Sequence, residues 1–202
     1  MENRVAVVQY QANSPIEDTY SCEQVTNLEG YFISVFDGHG GWQLCTNINI
    51  TSFRNLYPKA NYARENLSHL FKNALSSNLQ NSASQPTEQL IIKSIQDSYK
   101  ALEKSYYDIA SKSYKLGFHQ MGRVGSCALS TFLHENKLYV ANLGDCKAIL
   151  IKSEKSGVTA QKLTHKFNAN SKKEQARLRA KFPDDKEIVV CRRVLNFISH
   201  FY

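Results

Sequence analysis

The feature that most restricts the fold lies in the second half of the chain. Val140, Ala141, Ala148, Ile149, Leu150 and Ile151 are apolar with almost no alternation. A strand with one wet face alternates apolar and polar residues, and a strand covered on both faces does not. These segments therefore call for layers on both sides, either helices or a second sheet. Strands are expected at 126–133, 138–143 and 147–151, with a further one at 158–163. Glu135-Asn136 is expected to turn the first hairpin and Gly144-Asp145 the second.

The first half supplies other elements. Short strands are expected at 5–9 and 16–21, on either side of Asn13-Ser14-Pro15. Residues 31–36 read YFISVF, a β-prone run that ends at Asp37-Gly38-His39-Gly40-Gly41. Helices are expected at 42–57 and 61–79, the second with Leu67, Leu70, Phe71, Ala74 and Leu75 on one face. Residues 78–87 are rich in Asn, Ser and Gln and read as a loop. A long helix follows, capped by Thr87 and ending before Gly117, with Ile91, Ile95, Leu102, Tyr106 and Ile109 recurring at helical spacings. A short charged helix at 171–182 opens on Ser171 with Glu174 three residues later, a capping-box pattern. Strands, long helices and then antiparallel strands make an α+β chain.

Composition removes several classes. Of 202 residues, 42% are hydrophobic and 11% aromatic, so the chain buries a core and is not wholly disordered. No apolar run approaches the ~18 residues of a membrane span, and the N-terminus shows neither a secretory signal nor a transit pattern. Cys22, Cys45, Cys127, Cys146 and Cys191 are odd in number and never spaced CxxC. That argues against a disulfide framework or zinc knuckle and for a reducing, intracellular setting. The net charge of +7 resides at 152–193, where 12 basic residues meet 5 acidic ones; elsewhere 13 of each sign balance. The segment lacks interleaved aromatics and any recognised nucleic-acid motif, so a solvated helix and loop account for it and no nucleic-acid partner is expected.

Three acidic features could carry chemistry. Asp37 stands at a strand end beside Gly38, whose missing Cβ lets its carbonyl approach a ligand, and His39, which can move a proton. A carboxylate and a carbonyl are hard donors suited to Mg²⁺ or Mn²⁺. Glu17-Asp18 and Gly144-Asp145 could bring further carboxylates to the same rim. Taken singly, each reads as ordinary turn or surface chemistry.

Their order is more telling. Glu17-Asp18, VFDGHGG at 35–41, GSCALSTFL at 125–133 and ANLGDCKAIL at 141–150 together resemble the metal-dependent protein phosphatase 2C family. The stretch 13–18, with Asn13 where most members carry an Arg, is similar to the pyruvate dehydrogenase phosphatase branch. Asn168-Ala169, Glu174, Arg177-Leu178 and Pro183 are similar to the same branch, although Lys166-Phe167 stands in place of its Asp-His.

The resemblance implies a four-layer αββα sandwich of two antiparallel sheets, incomplete at its C-terminal side. It also implies hydrolysis of phosphoserine and phosphothreonine in protein substrates, with two Mg²⁺ or Mn²⁺ ions. By position, Asp37 bridges the two metals and the Gly38 carbonyl binds one of them; Glu17 and Asp18 hold water on them. Asp145 serves a weaker third metal, His39 is the general acid, and Asn13 occupies the phosphate-gripping position. A phosphatase-like domain is expected at 1–193, with an unrelated apolar tail at 194–202. A cytoplasmic location is expected; the branch suggests mitochondria, but no presequence supports that.

The family's late DG and GxxDN aspartates have no counterpart among these residues. Two divalent ions about 4 Å apart repel by roughly 16 kcal/mol at an effective dielectric of about 20. Glu17, Asp18 and Asp37 set −3 against that +4, where the complete site would set −5. One weakly held ion, and weak or absent activity in this chain, are therefore expected. The alternative is a non-catalytic pseudophosphatase acting as a protein-binding module.

Overall fold

The computed structural model describes residues 5–12, 14, 16–39, 59–81 and 87–189. The expected helix at 42–57 and the tail at 194–202 lie outside them. The described residues fall into two compact units, one up to residue 165 and one from residue 166 onward.

The first unit is built on a four-stranded antiparallel sheet in the order β1-β2-β3-β4. Its strands are β1 (Thr19–Val25), β2 (Gly30–His39), β3 (Gly125–His134) and β4 (Lys137–Leu143). Two helices, α1 (Lys59–Asn81) and α2 (Glu88–Lys115), pack against each other, and α1 lies on β1, β2 and β3. A separate hairpin, β5 (Ile149–Glu154) with β6 (Gly157–Lys162), completes the unit.

Pleating divides the residues of β2 between two faces. Phe32, Ser34 and Phe36 are fully buried toward α1, while Val35 on the other face is 45% exposed. Phe32 stacks on Phe71 of α1 at 4.5 Å between ring centroids, and Phe132 of β3 meets Phe71 edge-on at 5.0 Å. Ala60, Ala63, Leu67, Phe71 and Leu75 form the buried stripe of α1. Each fully buried Leu or Phe side chain among them contributes about 1.5–3 kcal/mol.

Three polar side chains of this core, Ser34, Ser130 and Tyr99, are joined to one another. Ser34 Oγ lies 2.8 Å from Ser130 Oγ across the β2–β3 pair, and Tyr99 OH of α2 lies 2.8 Å from the same Ser130 oxygen. Burial pushes the Tyr99 hydroxyl up to about 12, so it remains protonated. Thr87 caps α2, its hydroxyl accepting from the Leu90 N–H.

Several expectations change. Residues 5–12 contain no strand, and Val8 is 90% exposed there, with no strand pairing to it among the described residues. The strand expected at 16–21 forms later, at Thr19–Val25, because its register with β2 runs from Thr19↔Phe36 to Val25↔Gly30. The helix α1 continues to Asn81, into the stretch read as a loop. In α2, Ile91, Ile95, Leu102 and Tyr106 are buried as expected, but Ile109 is 37% exposed. Ser94 and Ser98 are buried in that helix instead, their hydroxyls donating to the Leu90 and Ile95 carbonyls.

The largest correction concerns Gly144-Asp145. Glu135, at φ 46°, does sit in the β3–β4 hairpin turn. Gly144-Asp145 instead leads out of the four-stranded sheet, since β5 pairs with β6 and not with β4. The apolar strand β5 is consequently not covered on both faces: Ile149 is 51% and Ile151 67% exposed.

The second unit contains α3 (Lys172–Lys181). Ser171 caps it, accepting from the Glu174 N–H, and Arg177 Nε pairs with Glu174 Oε2 at 2.7 Å. No helix among the described residues is long and apolar enough to cross a membrane.

Candidate metal centre

Asp37, Gly38 and His39, expected where the β-prone run 31–36 ends, all belong to β2 itself. They pair with Cys127, Ser126 and Gly125 of β3. The strand therefore fixes Asp37 and His39, two residues apart, on the same face, opposite the aromatic core.

Close approach of backbone shapes this end of the sheet. A Cβ at Gly38 would lie 2.8 Å from the Glu17 carbonyl oxygen and 2.9 Å from the Ala60 Cβ. Only a glycine lets the segment before β1 cross β2 at this point. A Cβ at Gly125 would fall 2.1 Å from His39 Nε2, so the imidazole occupies the space above that glycine.

Asp145 reaches the same place from the segment after β4. One ligand atom each from Asp37, Cys127 and Asp145 lies within 4.8 Å of the others, and all three residues are half-buried. The Cys127 thiol donates to Asp145 Oδ1 at 3.5 Å. Gly144, at φ +109°, adopts a backbone conformation that other residues rarely take, and a Cβ there would lie 2.4 Å from Cys127 Sγ.

The electrostatics follow from crowded acids. Burial raises the Asp37 carboxyl above its ordinary range, and repulsion from Asp18, Asp145 and Glu17 adds to that, with His39 acting in the opposite direction. Burial raises the Cys127 thiol, and it pushes Cys146 up to about 11, with the neighbouring Cys127, Asp37, Asp145 and Asp18 adding to the effect at Cys146. A bound cation would relieve this repulsion among the carboxylates. The donor set fits one: carboxylate oxygens suit Mg²⁺ or Mn²⁺, and carboxylates commonly share such an ion with water.

The structure thus brings Asp37, Asp145, Asp18 and Glu17 into one electrostatic neighbourhood. Gln9 Nε2 donates to the Asp18 carbonyl at 3.1 Å, tying the N-terminal segment to it. Asn13 lies outside the described residues. Sequence reasoning missed Cys127. It stood inside GSCALSTFL, but its place opposite Asp37 depends on β2–β3 register, which no local pattern reveals.

An antiparallel sheet packed against helices, with acidic groups gathered at one end of its other face, frames this candidate metal centre. Residues 10–196 match the family model for protein phosphatase 2C, and this chain belongs to that family. It is 33% identical over 194 residues to probable protein phosphatase 2C 36 of Oryza sativa subsp. japonica, covering 95% of this chain and 43% of that protein. It is 29% identical over 191 residues to probable protein phosphatase 2C 67 of Arabidopsis thaliana, covering 92% and 45%. The chain therefore spans less than half the length of these relatives. The crystal structure of serine-threonine phosphatase 2C from Toxoplasma gondii shares the fold, with a TM-score of 0.52, 18% identity, and coverage of 81% of this chain and 49% of that one.

Proposed function

We propose that this chain carries part of a metal-dependent phosphoserine and phosphothreonine protein phosphatase site. The observation that carries the reading is the convergence of Asp37 of β2 and Asp145, from the segment after β4, at one end of the sheet. Asp37 is the main protein ligand, with Asp145, Glu17 and Asp18 surrounding it and the Gly38 carbonyl as a further donor. A bound Mg²⁺ or Mn²⁺ supplies charge neutralisation at the phosphoryl oxygens and an acidified water as nucleophile.

The remaining work falls to the chain. Asp37 and its acidic neighbours orient water by accepting its hydrogens. His39, on the same face of β2 and with room over Gly125, holds a proton for the departing serine or threonine oxygen. Asn13 is the residue we assign to the phosphate. The donor set presents fewer carboxylates than two ions need, so single-ion occupancy and weak turnover are expected of the 202-residue chain. The phosphatase-like segment we propose is 1–193, acting in a reducing intracellular setting that suits the free thiols Cys22, Cys127 and Cys146.

The test is hydrolysis of a chromogenic phosphate ester by the purified chain with Mn²⁺. Slow turnover that disappears in Asp37→Asn is the expected result. Turnover that survives Asp37→Asn unchanged would remove Asp37 from the site. If no turnover occurs but Mn²⁺ still binds and Asp37→Asn abolishes that binding, the centre stands and the chain acts as a binding module.

A further inference from the structure

We propose that Cys127 is a ligand-competent member of this centre, making it a mixed oxygen and sulfur site that takes Zn²⁺, Co²⁺ or Cd²⁺ through sulfur. The proposal rests on the metal site described above and extends it to a residue with no place in the phosphatase assignment.

The geometry is specific to the pair Cys127 and Asp145. Their sulfur and oxygen stand 3.5 Å apart. A tetrahedral zinc with Zn–S of about 2.3 Å and Zn–O of about 2.0 Å sets its two ligand atoms about 3.5 Å apart. The hydrogen bond therefore already spans one edge of a tetrahedral site. Its proton lies between the two atoms, where the metal would enter. Asp37 supplies the third donor from the strand paired with Cys127. With all three atoms inside 4.8 Å, closing on one ion takes a shift of roughly 1 Å in the longest arm.

The backbone supports this placement. Cys127 is held opposite Asp37 by β2–β3 register, and its sulfur fills the space that Gly144 leaves by lacking a Cβ. On metal binding the thiol proton leaves to bulk water as the metal–sulfur bond forms, with no change of oxidation state. Thiolate favours zinc and its softer neighbours, whereas Mg²⁺ prefers oxygen. The same centre would thus have two ranges of affinity, and Zn²⁺ would compete with the ion that supports hydrolysis.

Cobalt substitution gives a readout independent of activity. Co²⁺ added to the full chain should produce a sulfur-to-metal charge-transfer band in the near ultraviolet. Cys127→Ser should abolish that band and Cys146→Ser should retain it. Competition against a chromophoric chelator should show at least ~10-fold weaker Zn²⁺ binding in Cys127→Ser, with Mg²⁺ binding unchanged. A measurement on the unaltered chain guards against misfolding of the variant. Zn²⁺ should slow alkylation of Cys127 at least ~10-fold, read peptide by peptide, while exposed Cys22 reacts at its original rate. Co²⁺ bound without a charge-transfer band, or Cys127 alkylated equally fast with Zn²⁺, overturns the sulfur ligand and leaves the phosphatase reading intact. Failure of every divalent ion to bind overturns both.

Discussion

The two faces of the four-stranded sheet differ in kind. Toward α1 the strands present Phe32, Phe36 and Phe132, each with no exposed surface, and the Ser34–Ser130–Tyr99 bonds between them. On the other face Tyr20 is 40% exposed, Val35 45% and Leu138 43%, although Leu129 is buried there. That second face ends at Asp37, Cys127 and His39. One pleated backbone thus separates stability from chemistry with a period of two residues. The core face can be packed to its limit while the other keeps acidic groups together at an energetic cost.

The comparison makes graded predictions. The largest effect should come from the core face. Phe132→Ala removes the ring that meets both Phe71 and Phe32, and should cost about 3–5 kcal/mol in urea unfolding. A smaller loss should follow where the faces meet. Gly38→Ala forces a Cβ against the Glu17 carbonyl and Ala60, for about 1–3 kcal/mol, and should weaken Mn²⁺ binding through displaced Glu17. Ser130→Ala leaves Ser34 and Tyr99 without their shared partner and should cost about 1–3 kcal/mol with metal binding unaffected.

On the chemical face the sign should reverse. Asp37→Asn removes a carboxyl raised by burial and by its acidic neighbours, so the chelator-treated protein should melt higher than wild type. A carboxyl raised in the folded state contributes stability that is full below its unfolded value and lost as pH rises through the folded one. The chelated wild type should therefore regain this contribution as pH falls, and Asp37→Asn should flatten that part of the profile. A destabilising Asp37→Asn in chelator would break the comparison.

Glu23 supplies the opposite and smallest case. The Lys72 ammonium, 2.6 Å away, lowers its carboxyl, so that contribution is present above the ordinary carboxylate range and lost as pH falls through the lowered value. Solvent screens the pair, and Glu23→Gln should cost less than about 1 kcal/mol by thermal melting.

Legibility in the sequence follows the range of each interaction. The α2 cap at Thr87, the Ser171 cap and the stripe Leu67, Phe71 and Leu75 were readable because their partners lie within a few residues. Ser94 and Ser98 escaped notice because a periodicity of apolar residues ignores small hydroxyls that satisfy themselves on their own helix. The Gly144-Asp145 turn was read as a hairpin because its local chemistry suits one, but pairing between β5 and β6 decided otherwise. Asp37 and Asp145 could be named from their motifs. That they meet each other, and meet Cys127, is a matter of register.

The sequence by itself determined that the chain alternates strands with two long helices, and it marked Asp37, Asp145, Glu17 and Asp18 as the acidic groups to watch. These are properties of local spacing, with periods of about 2 and 3.6 residues. Only the tertiary structure decided which face of β2 became core, where the chain leaves the four-stranded sheet, and which thiol stands beside the carboxylates. Those outcomes depend on strand pairing between segments some ninety residues apart, as in Asp37↔Cys127. A one-residue slip in that register would turn every side chain of a strand to the other face and take the thiol away from the acids.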